Sequence, residues 1–133
     1  MVDEKIRVTA LVIREGKLLM LNGRGYKELW TPGGKMKIGE TDEDCMRREL
    51  REELQANLDE FKFFKEYYGK SFYNDWVVRQ RVYIAKISGE IRPSSEIEGH
   101  LWFSRKDFES HKYPMIPTTE KEIIPDLIKK GLF

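Results

Sequence analysis

Cysteine is almost missing from this chain: Cys45 is the single one in 133 residues. One thiol excludes an internal disulfide and any zinc site built on several cysteines. With no oxidised framework to maintain, a reducing interior is the expected setting. Long apolar runs are missing too, since no stretch approaches the roughly 20 consecutive apolar residues that span a bilayer. Segment 1–7 (MVDEKIR) is charged and has no apolar signal core behind it. The expectation is a cytoplasmic protein without membrane contact. A charge excess is also lacking, because 24 Lys and Arg face 23 Asp and Glu for a formal charge of +1. That balance argues against a stable nucleic-acid complex and against an acidic, solvating tail. There is no internal repeat and no low-complexity segment.

What is present suits a folded core: 40% of residues are hydrophobic and 12% aromatic. The length fits one domain over 1–133. Segment 7–13 (RVTALVI) is rich in β-branched and apolar residues, Glu15-Gly16 signals a turn, and 17–21 (KLLML) reads as the returning strand of a hairpin. Between Asn22 and Gly39 the glycines Gly23, Gly25, Gly33 and Gly34, with Pro32 and the exposed-looking Tyr26 and Trp30, predict a long functional loop. Thr41 or Asp42 can cap a helix with an acidic first turn (Asp42, Glu43, Asp44) that runs to about Leu54. Strands over 61–68 and 76–87 follow, the second with Val78, Gln80, Val82 and Ile84 on one face and Val77, Arg79, Arg81 and Tyr83 on the other. A short strand over 100–103 comes next. The tail carries a capping-box pattern at Thr119–Glu122 and an amphipathic run interrupted by Pro125, where a kink or a restarted helix is expected. Strands around a central helix with a second helix at the end give an α+β class, a mixed sheet covered on both faces.

Chemistry concentrates in segment 34–56, GKMKIGETDEDCMRRELREELQA. On a helix, Glu49, Glu52 and Glu53 fall within an arc of roughly 100°. From Glu40 to Glu53, seven acids face three arginines, in a protein otherwise near neutrality. Like charges on one helical face repel, so the cluster needs arginines, solvent or divalent cations. Carboxylate oxygens suit Mg²⁺ or Mn²⁺, and Mg²⁺ often bridges protein carboxylates to substrate phosphates. A solvated helix laced with Glu–Arg pairs, Glu43 with Arg47 or Arg48 with Glu52, is the alternative. The Pro32-Gly33-Gly34 entry tips the balance, because backbone there can approach a bound group without side-chain obstruction.

The spacing resembles the Nudix box: Gly34, five residues, Glu40, seven residues, then Arg48-Glu49-Leu50-Arg51-Glu52-Glu53-Leu54-Gln55-Ala56. The lead-in Trp30-Thr31-Pro32-Gly33-Gly34 and the late Trp102-Phe103 pair are similar to the family as well. One position departs, since the box's late glycine is Gln55 here. Asn57 is the expected substitute, with a slightly longer helix. The resemblance implies a Nudix α/β/α sandwich and a Mg²⁺-dependent hydrolase, with Mn²⁺ as a possible substitute, cleaving the diphosphate linkage of a nucleoside diphosphate derivative.

The resemblance also implies roles. Glu52 and Glu53 are the principal metal ligands, and Glu49 is a further ligand or the base. Gly33 offers its carbonyl to the metal, while Gly34, Glu40 and Arg48 are structural. Glu98, or its neighbour Glu96, is the candidate acid from a later loop. Arg24 and Arg7 are candidates for phosphate, and Phe72, Tyr73 and Trp76 for stacking on the base. The substrate is expected to be a small nucleotide, most simply a (deoxy)nucleoside triphosphate, and the protein a monomer or homodimer. Alternatives are a nucleotide sugar, a dinucleoside polyphosphate, or a sensing module without turnover. The full set Glu49, Glu52 and Glu53 argues against the sensor, which has no need of all three.

Overall fold

The computed structural model describes residues 4–72, 76–94 and 96–133. Strand β1 (Glu4–Leu11) runs parallel to β7 (Val77–Ser88), in register from Glu4↔Val77 to Leu11↔Ile84. β7 in turn pairs antiparallel with β6 (Asn57–Lys70), and the other edge of β1 takes β5 (Gly33–Lys35), giving the order β5-β1-β7-β6. The second sheet is built on β3 (Lys17–Gly23), which pairs with β2 (Ile13–Arg14), β4 (Tyr26–Trp30) and β8 (Ile97–Phe103). The family-like α+β class with a mixed sheet is thus what the chain adopts.

The expected first strand divides in two. The chain leaves the first sheet after Leu11, and Ile13–Arg14 joins the second through the turn at Glu15 and Gly16, both at positive φ (50° and 75°) as a tight hairpin requires. The expected long loop over 22–39 holds two strands. β4 meets β3 at only two registered pairs, Leu21↔Trp30 and Gly23↔Tyr26, and two of the three residues of β5 are glycines. Neither has much intrinsic strand preference, and pairing with β1 and β3 overrides that. Trp30 is buried, not exposed, whereas Tyr26 is 42% exposed.

Helix α1 (Asp42–Leu54) starts where its cap says it should. Thr41 accepts from the Asp44 N–H, and the Asp44 carboxylate accepts from the Thr41 N–H. Asp42 then takes hydrogen bonds from Arg81 (2.8 Å) and the Tyr83 hydroxyl (2.5 Å), tying the helix start to β7. At the other end, Gln55 itself adopts the left-handed conformation (φ 55°, ψ 32°), and Asn57 opens β6. A non-glycine residue there costs about 1 kcal/mol. The segment over 92–94 offsets it by satisfying the last carbonyls: Arg92 N–H donates to Leu54 O and Ser94 N–H to Glu53 O, both at 2.9 Å.

Leu50, Leu54, Cys45 and Met46 of α1 pack on Val8, Ala10, Ala85 and Leu21. The opposite core joins Leu11, Val82, Leu18 and Phe103 to the C-terminal elements, a π-helical turn (Thr119–Ile123) and α3 (Ile124–Lys129). The alternation expected along β7 holds, with Val82 and Ile84 on this side and Tyr83 on the α1 side. The capping box expected at Thr119 does not form, because Thr119 lies inside the π turn and Thr118 before it makes no side-chain cap. Pro125 sits at the start of α3, directly after the π turn, so the helical run changes its hydrogen-bond pattern at the proline, as a residue without an N–H requires. Helix α2 (Arg105–Glu109), absent from the expected elements, is nucleated by a reciprocal Ser104–Asp107 cap.

Candidate active site

The acids of α1 separate by burial. Glu49 and Glu53, one turn apart, are buried (8% and 2% exposed), while the Glu52 side chain is 51% exposed. A buried carboxylate needs an opening, and the glycine pair of β5 provides it. A Cβ on Gly34 would fall on the Glu49 carboxylate. Gly33, at φ +133°, has its missing Cβ against the Val8 carbonyl, and its N–H donates to Glu53 Oε1 at 2.9 Å. The first glycine therefore lets β5 lie against β1, and the second makes room for the acid.

Arginines hold the rest. Arg48 clamps Glu40 bidentately (Nε–Oε2 2.7 Å, Nη2–Oε1 2.9 Å) and reaches Glu49 (2.8 Å) and Glu52 (3.3 Å) through Nη1. Its Nη2 also donates to Lys35 O at 3.1 Å, so the segment between β5 and the helix is pinned to the helix face. The Arg48 hydrogen bonds hold Glu40 down to about 2, and the same pairs raise the arginine's own pKa. Arg24, at the β3–β4 turn, bonds Glu96 (2.9 Å), stands 3.7 Å from Glu53 Oε2 and lies over the Trp30 ring with its Cζ 5.5 Å from the centroid.

Glu53 is left in tension. Its Oε2 has no hydrogen-bond partner among the described residues. Burial pushes its pKa up to about 7 despite the Gly33 N–H and the positive charges of Arg7 and Arg24, which pull the other way. A buried acceptor without a donor is costly, and a cation is the partner it lacks. Among the described residues, no three His, Cys, Asp or Glu side chains close on a common point. Mg²⁺ does not require that, since it is commonly held by one or two carboxylates, waters and substrate phosphates. Two buried carboxylates with hard oxygen donors, one oxygen of which accepts no hydrogen bond among the described residues, fit such an ion.

Glu49 opens onto a cleft of about 410 Å³ between the sheets. Glu49, Arg24 and Trp30 stand at one end, and Trp76, Gln80 and Tyr67 line the other, with Thr119 of the π turn. The Tyr67 hydroxyl donates to Asp126 (2.7 Å), which also receives Lys65 (2.9 Å), so the cleft wall is fastened to α3. Burial and that acceptor raise the Tyr67 pKa.

Of the residues singled out in the sequence, Gly33, Gly34, Glu40, Arg48, Glu49, Glu53 and Arg24 come together. Glu52 stays at the solvent edge on Arg48. Trp76 and Phe72 line the far end, and Tyr73 lies outside the described residues. Glu96, not Glu98, is the acid tied to Arg24; Glu98 is exposed on β8 and makes no ion pair among the described residues. Cys45 is fully buried, its thiol pushed up to about 11 by burial, which makes it a packing residue. Trp30, Gln80 and Tyr67 were not anticipated. Only Trp30, in the lead-in to the glycines, carried a local signal.

The NUDIX domain model matches residues 3–127, and the chain belongs to that family. It is accordingly a Nudix-type hydrolase acting on pyrophosphate bonds, a family whose members cleave nucleoside diphosphate derivatives with divalent cations. Among solved structures it is similar to a MutT NUDIX hydrolase from Burkholderia pseudomallei (25% identity, TM-score 0.70, 77% of this chain and 84% of that one). It shares its fold with a NUDIX hydrolase from Nitrosomonas europaea (18%, TM-score 0.81, 96% and 90%) and with the E. coli ORF135 protein (18%, TM-score 0.77, 98% and 93%). No curated protein matches the chain in sequence. No helix among the described residues is long and apolar enough to cross a membrane.

Proposed function

We propose that this hydrolase is a Mg²⁺-dependent pyrophosphohydrolase of (deoxy)nucleoside triphosphates. The observation that supports it is the pair of buried carboxylates, Glu49 and Glu53, packed against two glycines, with Glu49 lining a nucleotide-sized cleft. Glu53 and Glu52, with the Gly33 carbonyl, are the residues that would hold the cation, and Glu49 is assigned the part of base. The ion supplies charge neutralisation of the pyrophosphate and Lewis-acid polarisation at phosphorus.

The remaining work falls to the protein. Glu49 accepts the proton of the attacking water, and Arg48, 2.8 Å from it, keeps that carboxylate aimed. Glu40 holds Arg48 in turn. Arg24, beside Glu53 and at the cleft wall, would offer its charge to a phosphate oxygen. Trp76 offers a ring to the base.

The test is a panel of deoxynucleoside and nucleoside triphosphates, nucleotide sugars and dinucleoside polyphosphates with Mg²⁺ or Mn²⁺, scored by released pyrophosphate or phosphate. The reading expects a triphosphate to give the highest kcat/KM with pyrophosphate as product. Highest activity on a nucleotide sugar or a dinucleoside polyphosphate moves the substrate class. Binding without turnover of any member makes the protein a sensor.

A further inference from the structure

Among the described residues, Arg7 is the one cleft arginine that neither the catalytic helix nor any ion pair explains. It projects from β1 on the face away from α1, beside Thr9 and across from Gln80 of β7. Its Nη2 donates to the Thr31 carbonyl at 2.8 Å and its Nε to the Thr9 hydroxyl at 3.2 Å. Gln80 Nε2 donates to the same hydroxyl at 2.7 Å, so Thr9, which is fully buried, fixes both neighbours. The other cleft arginine, Arg24, has Glu96 and Glu53; Arg7 has no carboxylate within ion-pair distance among the described residues. Burial lowers its proton affinity, and the more distant Glu53 and Glu49 restore part of it.

A guanidinium sunk into a wall and held only by neutral acceptors is an expensive arrangement, because removing a charge from water is compensated well only by an opposite charge. Two of its five N–H donors are used by Thr9 and Thr31, which also set the plane of the fork. Arg7 itself lines the cleft. Lys5 and Lys35 add positive charge at the same rim, each with Nζ 5.7 Å from the Trp76 ring centroid.

We propose that Arg7 is a phosphate-binding residue: a fork pre-set by Thr9 and Thr31 that takes the pyrophosphate oxygens of the substrate on the β1 side of the cleft, opposite the carboxylates of α1. This rests on and deepens the reading of the cleft as a nucleotide site. It assigns a role to a residue outside the glycine–glutamate motif, and it makes the phosphate chain lie between two fixed charges of opposite sign.

The test separates anion binding from turnover. Inorganic pyrophosphate is titrated into the metal-free protein in EDTA by calorimetry, for the wild type, Arg7→Met and Arg7→Lys. A charged hydrogen-bonding fork lost from a half-buried wall weakens binding about ten- to a hundredfold, so Arg7→Met should show that loss. Arg7→Lys, with charge but no fork, should fall between the two. Wild-type protein that binds no pyrophosphate, or an Arg7→Met affinity within about twofold of wild type, overturns the proposal. If Arg7→Met does not fold, Arg7→Lys decides: equal affinity overturns it, weaker affinity supports it. Because no cation or hydrolysis enters, an Arg7-dependent titration survives even if the triphosphate panel is never turned over, and an active enzyme that is indifferent to Arg7 leaves the panel's reading standing.

Discussion

At the carboxylate end of the cleft, the contacts among the glycines, the acids and Arg48 are short and fall within residues 33–53. Gly33 N–H touches Glu53, Gly34 leaves room for Glu49, and Arg48 spans Glu40, Glu49 and Glu52 within one stretch of chain. At the far end, Trp76 lies just before β7, while Tyr67, Gln80 and Thr119 come from β6, β7 and the C-terminal turn, and the ties run over long separations, Tyr67 to Asp126 and Gln80 to Thr9. The first end depends on backbone shape that only certain residues permit. The second depends on side chains that many sequences can supply. Chemistry needs fixed distances to a few atoms, so it falls where the backbone sets them; selection among substrates falls where side chains can vary.

The comparison predicts opposite failures at the two ends, and the largest belongs to Glu53→Gln. The amide keeps the acceptor for Gly33 N–H and removes a charge that the buried site disfavours. We expect turnover to fall by at least about 100-fold, since even outer partners of a metal cost 10–100-fold when lost, with a melting temperature no lower than wild type. Near-normal kcat with Mg²⁺ would remove Glu53 from the metal site.

The two glycines should then fail differently from each other. Gly33→Ala forces a Cβ onto the Val8 carbonyl at φ +133°, and strain with overpacking costs about 2–5 kcal/mol. Gly34→Ala meets only the flexible end of Glu49, which must swing out of its place. Denaturant titration should show a large loss for the first and under about 1 kcal/mol for the second, while kcat of Gly34→Ala drops at least about tenfold. Equal destabilisation by both would mean that Gly34 serves the sheet and not the acid.

A pH titration of the metal-free protein sharpens the same point. Burial raises Glu53 to about 7 from an unfolded value of 4.5, so the fold favours its protonated form. The stability this contributes is full below about pH 4.5 and is lost as pH climbs towards 7. Carboxylates held low by hydrogen bonds, such as Glu40 at about 2, act in the opposite sense, but below that window. The melting temperature in EDTA should therefore decline from pH 5 to 7, and the decline should vanish in Glu53→Gln. A decline of equal size in that variant would assign it to another group.

How much of this was legible follows the same division. Thr41, Asp44 and the acidic first turn announce α1, and the fixed spacing of Gly34, Glu40, Arg48, Glu49 and Glu53 announces the carboxylate end, because backbone-dependent chemistry restricts residue type at close range. β4 and β5 were hidden because glycine and a two-pair ladder have no local strand signature and form by pairing with distant strands. Gln55 was misjudged because a left-handed cap is normally glycine, and the carbonyl partners that compensate arrive from residues 92–94. Gln80 was placed on the correct face of its strand, yet nothing near it in sequence names Thr9 as its partner.

The smallest effect is expected at Trp76. A base stacked on an indole is worth about 1–3 kcal/mol, but this ring already carries Lys5 and Lys35 against it, each with Nζ 5.7 Å from the centroid. A nucleobase gains the ring only by displacing at least one of these ammonium groups, each cation–π contact being worth about 0.5–1 kcal/mol at an exposed site. The net falls to the lower limit, so Trp76→Ala should raise KM for the best triphosphate roughly fivefold and leave kcat within about twofold. Steady-state kinetics separates the possibilities. A KM effect alone keeps selection at the far end, whereas a kcat loss comparable to that of Gly34→Ala would mean that the two ends are mechanically one site.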